Sequence, residues 1–300
     1  MKKKRIIDYF TQAFKIRVKK NTVIYGQNIT TGSRVIGLTN NIENIKGVEL
    51  INTQNSESSL IGFGLGLALS GKSSVYFVKQ LDFVLLGADQ IVNSVNSIML
   101  EKIKNSFTIF TYIVDSGYEG PQSRFHCFQE FASFSNINCR YLIFPQDIKE
   151  NISKMNKNKF NLFCLSQKFS KQNILPDCSY ISDDKDVYRY NKGKNYTFIA
   201  MGFSSYYVLN FLKSSKKFIE TDFFVVTNPL FNDFEEITKS ARKTGIVHLF
   251  DDSRSKVKKM TELERYLRKK IPNIKIKSHY RNENRKSIFV NSDEFILDNF

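Results

Sequence analysis

Glu57 has the surroundings that best suit proton chemistry in this sequence. It precedes the apolar, glycine-punctuated segment 58–70, which we predict to be a helix. A carboxylate at the start of such a segment is expected to be partly buried, and partly buried carboxyl groups are suited to proton transfer. A second interpretation stays open, in which Glu57 only stabilises the helix N-terminus through the helix dipole.

Phe83 is the second residue that the pattern selects. It follows a predicted strand at 74–78 and stands just before a predicted long helix over 84–104. A chain with 27 phenylalanines places many of them in its core. By itself, the pattern therefore favours a core position for Phe83.

Four short motifs carry a family resemblance. They are Asn-Ser-Glu at 55–57, Gly-Phe-Gly-Leu-Gly at 62–66, Leu-Asp-Phe at 81–83 and Asp-Gln-Ile-Val-Asn at 89–93. Their order and spacing resemble those of the beta subunit of the thiamine-diphosphate-dependent 2-oxo acid dehydrogenases. They resemble the C-terminal part of transketolase less closely. The glycines at 62–66 fall inside the predicted helix, where they favour close helix packing over a nucleotide loop.

The resemblance implies roles for three residues. In this family the glutamate at the Glu57 position hydrogen-bonds a ring nitrogen of the cofactor's aminopyrimidine, and the aromatic residue at the Phe83 position stacks on that ring. Glu57 is therefore expected to be catalytic, and both residues are expected to bind thiamine diphosphate. Gln27 lies where the family usually has an acidic pair after a glycine. Gln27 is expected to bind the cofactor through hydrogen bonds, without a charge.

The histidine with which the family handles its substrate has no direct counterpart. It usually follows a turn that contains glycine and glutamine, and Ser123 occupies that position here. The nearest imidazole is that of His126, which we expect to serve as the catalytic substitute after a local shift. The alternative is a structural or solvent-facing histidine. Ser123 and Arg124 are expected to contact the substrate, since Arg124 can pair with a carboxylate or phosphate.

The motif for the diphosphate half of the cofactor is missing. In the family a Gly-Asp-Gly…Asn motif on another domain binds the diphosphate through magnesium, and this chain contains no Gly-Asp-Gly. We therefore expect an alpha-type partner subunit that carries the diphosphate-binding domain and holds magnesium, with no metal ligands in this chain. The resemblance also implies a heterotetramer of two alpha and two beta subunits. A lipoyl-bearing acyltransferase is a further partner that the family suggests.

Alternating strand and helix patterns predict the fold class, which is α/β with two three-layer α/β/α domains and mostly parallel sheets. We expect a transketolase-like pyrimidine-binding domain over 1–190 and a domain like the transketolase C-terminal domain over 195–300. The polar, lysine-rich segment 168–194 is typical of a linker or an irregular crossing.

Composition and charge argue against several other classes. The net charge of +16 comes from lysines spread along the whole chain, so no nucleic-acid partner is expected. No apolar run has the length of a membrane span, and polar residues interrupt the N-terminal segment, so we expect a cytoplasmic protein with no membrane partner. The four cysteines have no CxxC spacing, which argues against zinc and disulfides.

Several functions compete at this stage. The leading one is a beta-type subunit, similar to that of pyruvate dehydrogenase, that decarboxylates a 2-oxo acid and transfers the acyl or aldehyde unit. The alternative is the C-terminal half of a split transketolase or a specialised biosynthetic carboligase. A non-catalytic scaffold relative is a second alternative, which loss of the family histidine favours and retention of Glu57 and Phe83 opposes. A basic RNA-binding protein would instead show salt-sensitive RNA binding.

Overall fold

Two six-stranded β-sheets organise the chain in its computed structural model. The structure describes residues 4–98, 103–115, 125–135, 137–157, 160–176, 182–184 and 186–281. The elements up to residue 166 are α1 (Ile6–Arg17), β1 (Val23–Gly26), β2 (Glu49–Asn52), α2 (Glu57–Leu69), β3 (Ser74–Gln80), α3 (Leu81–Val84), α4 (Asn96–Ile98), β4 (Phe107–Ile113), α5 (Phe128–Ser135), β5 (Asn138–Leu142), α6 (Pro145–Lys154) and β6 (Phe160–Ser166). The later elements are β7 (Ser182–Asp184), β8 (Val187–Asn191), β9 (Tyr196–Met201), α7 (Ser204–Ser214), β10 (Thr221–Val226), α8 (Glu235–Thr244), β11 (Ile246–Asp251), α9 (Lys259–Lys270) and β12 (Lys275–Tyr280).

The chain divides into two compact units, each with one of the sheets. The first unit contains the chain up to Val114 together with Phe131–Asn173, and the second contains His126–Glu130 and the chain from Ile174 onward. Strands β7 and β8 lie in the segment that we expected to be a linker, yet they belong to the second sheet. The sequence did not predict these strands, because short strands among lysines and aspartates have only a weak apolar pattern. The domain limits of 1–190 and 195–300 stay a prediction.

The first sheet has the strand order β2-β1-β3-β4-β6-β5, and its strands run parallel. Strands β4 and β6 are buried along their whole length, and β3 is buried except at Lys79. Such continuous burial is typical of parallel strands covered on both faces. Strand β2 lies on one side of β1, and β3 lies on the other side. The direction in which the chain adds strands therefore reverses between β1 and β3.

Helices cover both faces of this sheet. On one face Phe14 of α1 packs against Phe77 of β3, with ring centroids 5.5 Å apart. On the other face Tyr25 of β1 packs against Phe63 of α2, with ring centroids 5.1 Å apart. Neighbouring strand residues point to opposite faces, so Tyr76 shares the α2 face while Phe77 shares the α1 face.

The second sheet has the strand order β12-β11-β9-β10-β8-β7. Strands β9 to β12 pair in parallel, and β8 and β7 add an antiparallel edge. Helix α8 covers one face, where the Thr197 hydroxyl forms hydrogen bonds with Ser240 at 2.7 Å and Thr244 at 2.8 Å. The opposite face carries Phe198 and Phe250, with ring centroids 5.2 Å apart.

The predicted fold class is confirmed, since both sheets are mostly parallel and are flanked by helices. The long helix predicted over 84–104 is wrong. The structure instead has α3, a 3-10 turn at Leu85–Gly87, a π-helical stretch at Gln90–Val95 and the short α4. A π turn takes an extra residue, so an apolar pattern that looks continuous does not form one regular helix.

Two elements near the end of the described chain, α9 and β12, were not predicted. Helix α9 buries a narrow stripe made of Met260, Leu263 and Leu267 among charged residues, which weakens its sequence pattern. His279 lies in β12 and is buried.

Helix length and cysteine state add two observations. Within the described ranges no helix is both long and apolar enough to cross a membrane. Cys139 and Cys164 are buried thiols, and burial raises the pKa of the Cys139 thiol to about 12. Cys178 lies outside the described residues.

Candidate functional site

A pocket of about 280 Å³ lies at the carboxyl ends of β1 and β3, where the strand order of the first sheet reverses. Ligands of open α/β sheets bind outside the strands at such a position, because the helices that follow the two strands lie on opposite faces and leave a crevice. The lining of the pocket includes Gln27, Asn55, Glu57, Tyr76, Lys79 and Phe83.

Gly26 allows the chain to turn into the pocket wall at the end of β1. Its φ angle is +149°, and a Cβ atom there would lie 2.2 Å from the carbonyl oxygen of Phe77. No side chain fits at that distance, so the close approach of β1 to β3 requires glycine. The following residues, Gln27 and Asn28, then line the pocket.

The three residues that the sequence assigned to cofactor binding lie on this one pocket. Glu57 is the first residue of α2 and is half-buried, as expected. Phe83 is half-buried in α3, and Gln27 is exposed just after β1. The pocket thus combines a carboxylate, an aromatic ring and an amide, which come from three separate elements.

Tyr76 lines the same pocket, and sequence analysis did not select it. Only 2% of its surface is exposed. Burial, and after it the negative charge of Glu57, raise the pKa of the Tyr76 hydroxyl above its ordinary value. The sequence signal that was available is a polar aromatic residue inside the buried strand pattern at 74–78.

Tyr25 holds the Tyr76 ring from the neighbouring strand. The two rings stack with centroids 5.1 Å apart and an angle of 7° between their planes. The Tyr25 hydroxyl donates a hydrogen bond to the carbonyl oxygen of Leu60 at 2.7 Å. This contact ties the stacked pair to α2, one turn after Glu57.

Asp82 holds the backbone at Phe125, which directly follows the predicted substrate residues Ser123 and Arg124 in the sequence. Its Oδ1 atom accepts a hydrogen bond from the backbone N–H of Phe125 at 2.7 Å. The Leu-Asp-Phe motif at 81–83 therefore has a structural role besides the position of Phe83. Ser123 and Arg124 lie outside the described residues, and their contact with substrate stays a prediction.

His126 lies in the second unit and is not among the residues that line the pocket. It is 1% exposed, and neither ring nitrogen has a hydrogen-bond partner among the residues that the structure describes. Burial lowers the pKa of the His126 imidazole well below its ordinary value, and the charges of Arg281 and Arg254 lower it further. The imidazole is therefore neutral near pH 7, and its catalytic role stays a prediction.

A buried ionic cluster lies at the carboxyl end of β11. The Gln129 side chain donates a hydrogen bond to Asp251 Oδ2 at 2.9 Å, and Lys258 Nζ lies 4.0 Å from the same oxygen. Arg281 donates to the carbonyl oxygen of Asp252 at 2.6 Å and lies 3.8 Å from the Asp252 carboxylate. Burial raises the pKa of the Asp252 carboxyl to about 7, although the Arg281 charge opposes the shift.

Comparison with known proteins adds a likeness in fold. No family model matches the chain, and no curated protein matches it. Among solved structures the chain is similar to one described as "Split gene transketolase, inactive beta4 tetramer", with a TM-score of 0.62 and 14% sequence identity. The match covers 93% of this chain and 89% of that chain. The chain therefore has a transketolase-like fold.

Proposed function

We propose that this chain is one subunit of a two-subunit thiamine-diphosphate enzyme and that its pocket binds the aminopyrimidine ring of the cofactor. The observation that carries the proposal is the presence of Glu57, Phe83 and Gln27 on one pocket. A carboxylate, an aromatic ring and an amide are the groups that suit a flat, nitrogen-containing ring. The transketolase-like fold agrees with this assignment.

Each lining residue has a distinct part in the proposed site. Thiamine diphosphate, when bound, would supply a nucleophilic carbon and a thiazolium ring that accepts electrons. The Glu57 carboxylate holds a proton at a pyrimidine ring nitrogen, which favours the tautomer that the chemistry requires. Phe83 stacks on the ring, and Gln27 offers an amide for hydrogen bonding.

The other half of the site would come from a partner. The sequence has no Gly-Asp-Gly, and the described part of the chain contains no group of three or more His, Cys, Asp or Glu residues that could hold a metal ion. We propose that an alpha-type subunit binds the diphosphate and holds magnesium, in a heterotetramer of two alpha and two beta chains. The apolar side chains of Phe63 and Leu69, exposed on α2, would suit an interface between subunits.

The reaction that we propose is decarboxylation of a 2-oxo acid followed by transfer of the acyl or aldehyde unit, with a lipoyl-bearing acyltransferase as a candidate acceptor. A specific observation favours a second candidate, since the similar solved structure is described as a split-gene transketolase. In that case the chain is the C-terminal half of a split transketolase or a related carboligase, and a ketose is the donor. A non-catalytic scaffold is the remaining alternative.

Substitution of Glu57 tests the proposal. With an alpha-type partner, thiamine diphosphate and magnesium present, we expect Glu57→Gln to lower turnover by at least roughly 100-fold, because it removes the carboxylate that holds the ring proton. Release of carbon dioxide from pyruvate and transfer from a ketose phosphate are measured in parallel, which separates the two donor classes.

Glu49→Gln is the matched control for this experiment. Glu49 is a carboxylate of the same sheet, half of its side chain is exposed, and it does not line the pocket. Its substitution is expected to leave turnover unchanged. Turnover by Glu57→Gln equal to that of the control would refute the catalytic assignment, and lack of turnover by the wild type on both donors would favour the scaffold alternative.

A further inference from the structure

The wall of the pocket contains a hydroxyl group that has no hydrogen bond within the described residues. Tyr76 as a residue is only 2% exposed, but its hydroxyl is not among the fully buried polar atoms that lack a hydrogen bond, so it is accessible from the pocket. Polar groups that have no protein partner are nearly always paired with water or a ligand. Since Tyr76 lines the pocket, a molecule in the pocket is the natural partner for this hydroxyl.

The Tyr76 ring is held in place by its own surroundings. Tyr76 and Tyr25 are partners in the pairing of β3 with β1, and their rings stack with centroids 5.1 Å apart. The hydroxyl of Tyr25 is bound to the Leu60 carbonyl at 2.7 Å, and the edge of its ring meets Phe63. A ligand therefore meets a hydroxyl whose position is already set, so little conformational entropy is lost on binding.

The charge state of Tyr76 makes its hydroxyl a donor. Burial and the nearby Glu57 carboxylate both raise the pKa of this phenol above its ordinary value. The phenol consequently stays protonated at neutral pH. Glu57, in contrast, accepts hydrogen bonds when it is ionised. The pocket thus offers a hydrogen-bond donor at Tyr76 and, when Glu57 is ionised, a hydrogen-bond acceptor at Glu57.

We propose that the Tyr76 hydroxyl is a ligand-binding group, which donates a hydrogen bond to the heterocycle held by Glu57 and Phe83. The pocket would then select a planar ring that carries a protonatable nitrogen for Glu57 and a hydrogen-bond acceptor for Tyr76. Aminopyrimidines have both groups. This inference rests on the proposed function and adds to it a second polar contact that determines the ligand class.

Tyr76→Phe tests the inference, because it removes one oxygen atom and keeps the stacked ring. Tyr112→Phe is the matched control, since Tyr112 is a fully buried tyrosine of the adjacent strand β4 that does not line the pocket. Full-length variants are titrated by calorimetry with thiamine diphosphate and magnesium, and separately with the hydroxymethyl-aminopyrimidine fragment of the cofactor. Tyr76→Phe is expected to bind both probes roughly three- to tenfold more weakly than the control.

The outcomes separate this inference from the proposed function. If wild type binds the probes, Glu57→Gln loses binding and Tyr76→Phe binds like the control, the role of Tyr76 is refuted and the proposed function stands. If wild type binds neither probe, alone or with an alpha-type partner, both ideas fail. Weaker binding by Tyr76→Phe with an unchanged melting temperature supports the inference, because a purely structural role would lower the melting temperature.

A second measurement applies if Tyr76→Phe does not fold. The chain contains no tryptophan, and Tyr76 is the one tyrosine among the described lining residues. A new hydrogen bond to a buried phenol shifts its ultraviolet absorption band. Saturating the wild type with the pyrimidine fragment should therefore produce a tyrosine difference spectrum, and a flat spectrum at saturation contradicts the proposal.

Discussion

At the residue scale, burial controls the charge of several side chains. The protonated phenol of Tyr76 and the neutral imidazole of His126 follow from the same cause, because a buried group favours its uncharged form. Asp252 shows this effect in the second unit, where burial raises the pKa of its carboxyl to about 7. Such shifts make folding stability depend on pH.

Asp252 gives a testable dependence of stability on pH. Between its ordinary pKa of 3.8 and about 7 the folded protein keeps a proton that the unfolded chain releases. The contribution of Asp252 to stability therefore falls as pH rises through this window, by on the order of 4 kcal/mol. We expect Asp252→Asn to gain stability over wild type from pH 4 to pH 7, as measured by urea unfolding at each pH.

The stability of the variant minus that of the wild type, taken at each pH, isolates Asp252 because the contributions of other titrating groups cancel. One such group is His126, whose lowered pKa makes stability rise with pH at low pH, in the opposite direction to Asp252. Asp89→Asn is a suitable control, because Asp89 is exposed. A stability difference for Asp252→Asn that depends on pH no more than that of the control would mean that Asp252 is ionised throughout the range.

At the element scale, α2 connects the pocket to the rest of the first sheet. Glu57 begins this helix, and Gly64 lets it approach the sheet. A Cβ atom at Gly64 would lie 2.4 Å from the Tyr25 hydroxyl and 2.4 Å from the Phe107 ring. Gly66 lies in the same helix but is exposed, and nothing lies within 4 Å of the corresponding Cβ position.

The two glycines of α2 therefore respond differently to alanine. Gly66→Ala is expected to stabilise the protein by about 0.5–1 kcal/mol, because alanine loses less backbone entropy than glycine in a helix. Gly64→Ala is expected to destabilise it by about 1–3 kcal/mol, because the added methyl group displaces Tyr25 or Phe107. Thermal and urea unfolding measure the change in stability of each variant. Equal changes at the two sites would contradict the packing described for α2.

At the scale of the whole molecule, the surface of α2 points to assembly with other chains. This helix is apolar, and it leaves 42% of Phe63 and 55% of Leu69 exposed. Exposed apolar side chains can belong to an interface between proteins. The proposed partner subunit would cover this surface and complete the cofactor site.

A charge on this surface should weaken assembly. We expect Leu69→Lys to raise the dissociation constant of the complex, with itself or with an alpha-type partner, by roughly tenfold or more, because an ammonium group would be buried there. Ile219→Lys is the matched control, since Ile219 is 84% exposed in the second unit. Sedimentation velocity measures both variants, and identical behaviour would exclude this face of α2 from the interface.

The sequence by itself determined the local features of this protein. Alternating patterns predicted the α/β class, and the position of Glu57 at the start of an apolar helix followed from residues close to it in the chain. The spacing between Glu57 and Phe83 could be recognised for the same reason, since both residues lie in one short stretch of the chain. The irregular helical stretch after Phe83 was missed, because short turns of different period share one apolar pattern.

Tertiary structure decided everything that depends on distant parts of the chain. Glu57, Phe83 and Gln27 line one pocket because β1 and β3 pair side by side, and the same pairing adds Tyr76, which no local pattern selected. Burial likewise governs the proton affinity of Asp252 and His126. Periodicity is a property of neighbours in sequence, whereas burial, charge and hydrogen bonding are set by neighbours in space.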